Sequence, residues 1–117
     1  MPWFKVDDTL AFHGKVLAAG NSAMGLWVRA GSWSMQTLSD GFVPRHVARQ
    51  LGTKREADRL CEAGLWTEKD DGYVFHEWQQ RQPSRAKVLS DREENADRLR
   101  KWREKKRQEE ADADDTA

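Results

Sequence analysis

The sequence predicts a mostly α chain of the α+β class: a small helical domain with one β-hairpin, followed by a long charged helix. Three observations carry this. Apolar residues recur at three- and four-residue steps through the region before residue 65, the spacing of one helix face. Asp71-Gly72 sits between two short runs rich in β-formers, which is a hairpin signal. After Gln79 the apolar side chains thin out and Arg, Lys, Glu and Ala take over without an interior Gly or Pro beyond residue 86, a composition that favours helix by propensity.

Along the chain, Pro2 to Val6 reads as extended. Thr9 to Ala19 reads as a helix with Asp8 as N-cap and Gly20-Asn21 as the stop, weakened at Gly14 and so open to division into two pieces. Ser22 to Leu38 is a buried helix carrying Met24, Trp27, Val28, Ala30, Gly31, Met35 and Leu38 on its apolar positions, with Gly25 and Gly31 available for close approach of a neighbour. Ser39-Asp40-Gly41 is a turn and Phe42-Val43 a very short extended piece. Pro44 suits the first turn of the next helix, where its missing N–H costs nothing.

Arg45 to Leu51 forms that helix, with Val47, Ala48 and Leu51 inward and Gly52 ending it. Thr53 caps another, in which Ala57, Leu60 and Cys61 mark the buried face. Thr53 and Glu56 have the spacing of a capping box. Two short helices about two residues apart are a helix-turn-helix. The hairpin follows at once, with Tyr73 and Phe75 alternating against Val74 and His76. Helix, short strand, two helices and a hairpin is the order of a winged helix-turn-helix. The expected organisation is therefore this domain over 1–80, a linker over 81–85, a charged helix over 86–110 and a disordered acidic tail over 111–117.

Composition bounds the rest. The 117 residues carry 20 basic and 20 acidic side chains, for a formal net charge of zero, and the mean hydropathy is −0.94. The distribution is uneven. Trp3, Trp27, Trp33, Trp66 and Trp78 lie in the front part and read as core and hairpin packing, leaving Trp102 alone behind. Arg98, Arg100, Lys101, Arg103, Lys105, Lys106 and Arg107 face a single acid, Glu104, within one block. Glu109, Glu110, Asp112, Asp114 and Asp115 follow. A neutral chain arranged this way still presents a strongly positive segment. The single cysteine, Cys61, excludes an internal disulfide. No secretory signal and no long apolar run is present, so a cytoplasmic setting and no membrane partner are expected.

Several stretches resemble a known group. Trp3-Phe4-Lys5-Val6-Asp7-Asp8, Gly25-Leu26-Trp27-Val28-Arg29-Ala30, Asp40-Gly41-Phe42-Val43-Pro44, Ala63-Gly64-Leu65-Trp66 and Gly72-Tyr73-Val74-Phe75-His76-Glu77-Trp78 resemble small winged helix-turn-helix proteins of actinobacterial phages and prophages. More distantly the chain is similar to the N-terminal domains of phage replisome organisers, the DnaD-like replication initiators. The resemblance spans roughly residues 3 to 107, including the block Trp102-Arg103-Glu104-Lys105-Lys106-Arg107. It implies the winged helix-turn-helix fold more than a role, and a DNA-binding protein of transcription regulation or replication is the expectation. The second folded domain of full-length initiators has no counterpart read after residue 84.

In such an order the second helix of the pair reads the groove. Its outward residues are Thr53, Lys54, Arg55, Asp58, Arg59 and Glu62, and Thr53, Lys54, Arg55 and Arg59 are the candidate DNA contacts. Arginine pairs with guanine edges, and lysine neutralises phosphate. Arg45 and Arg49 on the preceding helix are candidates for the backbone. The bland alternative is a solvated face with Arg59 paired to Glu56 or Glu62. Lys69 is the wing's only cation beside Glu68, Asp70 and Asp71, so the wing is expected to stay off phosphate. The basic block of seven residues neutralises phosphates in a steeply salt-dependent way, and Trp102 within it is a candidate for base stacking or for packing. Double-stranded DNA is thus the expected partner, with a homodimer and a replication or host protein as further candidates. A protein-interaction module without DNA binding is the rival class, and RNA or single-strand binding by the tail alone is a third. His13, His46 and His76 lack metal-ligand spacing, and no nucleotide loop or nucleophile elbow is present. No enzyme, metal or cofactor is expected.

Overall fold

The computed structural model describes residues 2 to 115, with side chains described up to residue 113. The chain divides into two compact units, residues 1–85 and 86–117. In the first, a 3-10 turn over Leu10–Phe12 leads to helices α1 (Gly14–Ala19) and α2 (Asn21–Thr37), strand β1 (Phe42–Pro44), helices α3 (Arg45–Leu51) and α4 (Lys54–Glu62), strands β2 (Trp66–Lys69) and β3 (Gly72–Phe75), and the single turn α5 (Trp78–Arg81). Helix α6 (Arg85–Asp115) begins at the boundary and runs through the second. The architecture is mostly helical with a small three-stranded antiparallel sheet in the order β1-β3-β2, a winged-helix-like arrangement followed by a long C-terminal helix.

The helix expected over Thr9 to Ala19 is indeed in two pieces, divided at His13, whose backbone is extended (φ −65°, ψ 134°). Asp8 caps neither. The Asp7 carboxylate instead accepts from the Thr9 N–H at 2.9 Å and the Thr9 hydroxyl at 2.8 Å, an Asx turn that competes with helical bonding. His13 caps α1, its Nδ1 accepting from the Lys15 N–H at 3.2 Å. Gly20 turns the chain into α2 at φ +84°, a conformation that glycine adopts without a Cβ penalty.

Helix α2 is the central element. Its buried face runs through Ala23, Met24, Leu26, Ala30, Gly31, Ser34 and Met35. Two expectations shift here: Leu26 is 2 % exposed, whereas Val28 is 47 % exposed and faces outward. Of the two glycines, Gly25 faces open space, but Gly31 lies under the ring of Phe4, where an added Cβ would come within 2.3 Å of Phe4 Cζ. Phe4, Trp27, Phe75 and Trp78 form one aromatic cluster, with ring centres 5.1 Å apart for Phe4–Trp27 and 5.0 Å for Phe75–Trp78. Such pairs add about 0.5–1.5 kcal/mol each beyond area burial. Trp66 and Trp78 are core residues as expected; Trp3 is not, being 81 % exposed. Phe4 packs into the aromatic cluster, whereas the neighbouring Trp3 side chain faces solvent.

The hairpin turn falls one residue earlier than the Asp71-Gly72 signal suggests. Lys69 pairs with Gly72, leaving Asp70-Asp71 as the loop. Gly72 belongs to β3 and pairs also with Pro44 of β1. A Cβ there would sit 2.2 Å from the Val43 carbonyl oxygen. The glycine serves close approach of two strands rather than turn geometry. Pro44 closes β1 and precedes α3 rather than lying in its first turn; its missing donor is tolerated on this edge strand.

Residues 81–85, expected as a linker, are held by the domain. Gln82 is 6 % exposed. Its amide accepts from the Lys5 N–H at 2.8 Å and donates to the Lys5 carbonyl at 2.6 Å, as a neighbouring strand would. Arg81 pairs with Asp7 at 3.1 Å. At the other end, α6 continues past Glu110 to Asp115 through residues assigned to the tail, where Glu109, Glu110, Ala111 and Ala113 sustain helix. Residues 116 and 117 of that tail lie outside the described residues.

Candidate nucleic-acid interface

The helix-turn-helix pair is set by its caps. Gly52 ends α3, its N–H donating to the Ala48 carbonyl at 2.9 Å. Thr53 then opens α4 with an extended backbone and a complete capping box. The Thr53 N–H donates to Glu56 Oε1 at 2.7 Å, and the Glu56 N–H donates to Thr53 Oγ1 at 3.2 Å. Glu56 also accepts from the Ser22 hydroxyl in the first turn of α2. The Ser22 hydroxyl, followed by the Thr53 N–H, holds the Glu56 carboxyl below its ordinary pKa. On the far side of α4, Ala57 and Leu60 are wholly buried. Thr53 and Lys54, Arg55, Arg59 and Glu62 are therefore turned to solvent, and Asp58 is half-buried.

The candidate cations differ in what they already hold. Lys54 donates to Asp58 one turn on at 2.8 Å, which raises its pKa. Arg55 and Arg59 form no ion pair among the described residues; neither local pairing considered for Arg59 occurs. Both line a cleft with Gly20, Asn21 and Ser22 at the start of α2 and with Thr53. Two arginines four residues apart project from the same face of α4.

Arg45 and Arg49 already hold partners within the fold. Arg45 Nη1 donates to Glu68 Oε1 at 2.8 Å, and its Nη2 donates to the Lys69 carbonyl at 2.8 Å. The bond to Glu68 raises the guanidinium pKa. Arg49 Nη2 donates to the Tyr73 hydroxyl at 3.0 Å, and its Nη1 is buried without a partner among the described residues. Both guanidinium carbons lie against the Tyr73 ring, 5.2 Å and 5.7 Å from its centre, within cation–π range. These two arginines clamp the hairpin onto α3. The sequence could not reveal this, because the partners are 23 and 24 residues away. The tip beside them, lined by Glu68, Asp70 and Asp71 with Lys69 and Arg45, carries more acid than base.

The seven basic residues of the block from Arg98 to Arg107 are all exposed. Arg100 pairs with Asp97, and Lys106 Nζ lies 5.1 Å from the centre of the Trp102 ring. Leu99 and Trp102 are 48 % and 57 % exposed. Arg98, Lys101, Arg103, Lys105 and Arg107 form no ion pair among the described residues.

Other candidates for chemistry are occupied locally. Cys61 is half-buried, and burial pushes its thiol up from the ordinary value, away from the reactive thiolate. His76 lies 3.2 Å from Glu77. No group of three His, Cys, Asp or Glu among the described residues is arranged to hold a metal ion. No described helix is long and apolar enough to cross a membrane. No protein-family model, curated protein or solved structure matches the chain.

Proposed function

We propose that this chain binds double-stranded DNA, with α4 as the reading helix and the basic stretch of α6 supplying phosphate contacts. One observation carries the reading. Arg55 and Arg59 stand exposed on the second helix of a helix-turn-helix, forming no ion pair among the described residues, while the opposite face of that helix is buried. Exposed, uncommitted guanidinium groups are the side chains best suited to bidentate contact with guanine edges and phosphate. The role this serves, by the resemblance noted above, is that of a phage-type regulator or replication accessory acting in the cytoplasm.

Fluorescence anisotropy of the full chain on mixed-sequence duplex, across a salt series, tests the reading. Binding that weakens steeply with salt and is reduced at least tenfold by Arg55→Ala with Arg59→Ala supports it. No binding at low salt removes it.

The wing favours a second reading, a protein-interaction module. Its acidic tip repels phosphate, and Trp3 and Phe12, 81 % and 87 % exposed, are large apolar side chains available to a partner. A discrete oligomer or host-protein complex without DNA affinity supports that reading.

A further inference from the structure

The basic block of helix α6 carries six of its seven positive charges on two opposite sides. Residues three and seven apart share a face, so Arg98, Lys101 and Lys105 form one ribbon. Arg100, Arg103 and Arg107 repeat that spacing two residues later. Two residues advance the helix by about 200°, which puts the second ribbon opposite the first. The two edges between them are different again. Asn95, Leu99, Trp102 and Lys106 follow one edge; Asp97 and Glu104, seven apart, follow the other. All of these side chains are exposed apart from Asp97, which is half-buried.

We infer that α6 inserts lengthwise into the major groove of B-form DNA, each basic ribbon meeting the phosphates of one strand. This rests on the reading of the chain as a DNA-binding protein. A flat acidic protein face engages one side of a helix and leaves the opposite ribbon in water, and the apolar edge of Leu99 and Trp102 offers little area to bury in a lipid surface. A groove has two charged walls. An α-helix with its side chains is about 10–12 Å across, and the major groove is about 12 Å wide. The same groove of an RNA duplex is too deep and narrow to be read. The edges fix the rotation: Asp97 and Glu104 must face out of the groove, away from phosphate. Asn95, Leu99 and Trp102 then face the bases. Asn95 has the paired donor and acceptor that fit adenine, and the apolar pair suits thymine methyl groups.

The test uses the full chain on one mixed-sequence duplex, with each ribbon neutralised in turn as Arg98→Ala/Lys101→Ala/Lys105→Ala and as Arg100→Ala/Arg103→Ala/Arg107→Ala. Alanine keeps the helix, which circular dichroism checks directly. Both triple variants are expected to lose at least tenfold in affinity, and each is expected to reduce the log–log salt slope by about three, at about 0.9 per phosphate contact. Arginine-to-lysine versions of the same triples should retain the slope. Duplex RNA of the same sequence should bind at least tenfold more weakly.

If one triple variant binds as the parent does, the helix docks on one side only and groove insertion is overturned. Equal affinity for duplex RNA overturns it as well. The underlying reading fails separately. Absence of salt-dependent binding by the parent removes both, whereas loss through Arg55→Ala/Arg59→Ala with both ribbons silent removes the groove inference alone.

Discussion

Arg45 and Glu68 meet at 2.8 Å across the junction of α3 and the wing, so a cation expected to hold the DNA backbone is already engaged with the hairpin. The carboxylate occupies the guanidinium as a phosphate would. Release of Arg45 should therefore strengthen binding to a polyanion. Glu68→Gln is expected to raise DNA affinity by a few-fold at low salt, with the gain fading as salt rises. Arg45→Ala should weaken binding less than Arg55→Ala does. An anisotropy series on the three variants decides this, and a Glu68→Gln protein that binds more weakly than its parent would contradict it.

Gly31 and Gly25 lie on the same helix with opposite surroundings. Gly31→Ala forces a methyl group into the Phe4 ring and should cost about 1–3 kcal/mol by overpacking. Gly25→Ala meets nothing within 4 Å and should stabilise by about 0.8–1.0 kcal/mol through helix propensity. Urea denaturation of the two variants should move the midpoint in opposite directions. In combination with Phe4→Ala, the Gly31 change should cost less than it does alone.

Gly72→Ala is expected to be among the most damaging single changes in the domain. The atom it would strike is the Val43 backbone oxygen, which cannot rotate away, and the loss should be about 3 kcal/mol or more. A thermal melt indistinguishable from the parent would refute the register given for β1 and β3.

Thr53 is solvent-exposed yet opens α4 with two reciprocal hydrogen bonds. Thr53→Ala should lower stability by about 1 kcal/mol. Thr53→Ser, which keeps the acceptor, should lose little. Because the cap aims Arg55 and Arg59, the alanine variant should also weaken DNA binding while the serine variant preserves it.

Asp7 titrates low, at about 2 against an ordinary 3.8, chiefly through the Thr9 N–H and then the Thr9 hydroxyl. A depressed folded-state value means that the ionised carboxylate favours the fold. That contribution is present above the unfolded value and lost as pH falls through about 2. The stability difference between the parent and Asp7→Ala should therefore shrink between about pH 5 and pH 2. A difference that stays constant over that range would assign the effect to packing.

Much of the fold is legible in single residues. The spacing of Ala57 and Leu60, and the Thr53 and Glu56 pair, are local patterns with local physical causes, and α4 forms where they place it. Gly52 ends α3, and Tyr73 and Phe75 alternate as a half-buried strand does. The expectations that shifted depend on contacts distant in sequence. Gly72 looked like a turn residue because its need for a missing side chain comes from Val43, on another strand. Residues 81–85 looked like a linker because the partner of Gln82 is the backbone of Lys5.

The candidate site divides in the same way. The sequence by itself determined which helix follows the turn, which face of it is polar, and where the basic block begins and ends, because helical spacing and capping act over three or four residues. Only the tertiary structure decided which of the arginines of the helix-turn-helix are committed. Arg45 and Arg49 are bound to Glu68 and Tyr73, while Arg55 and Arg59 form no ion pair among the described residues. Whether a guanidinium is spent within the fold or left for a partner depends on which charges folding brings within hydrogen-bonding distance, and for Arg45 and Arg49, whose partners lie 23 and 24 residues away, no local pattern encodes that.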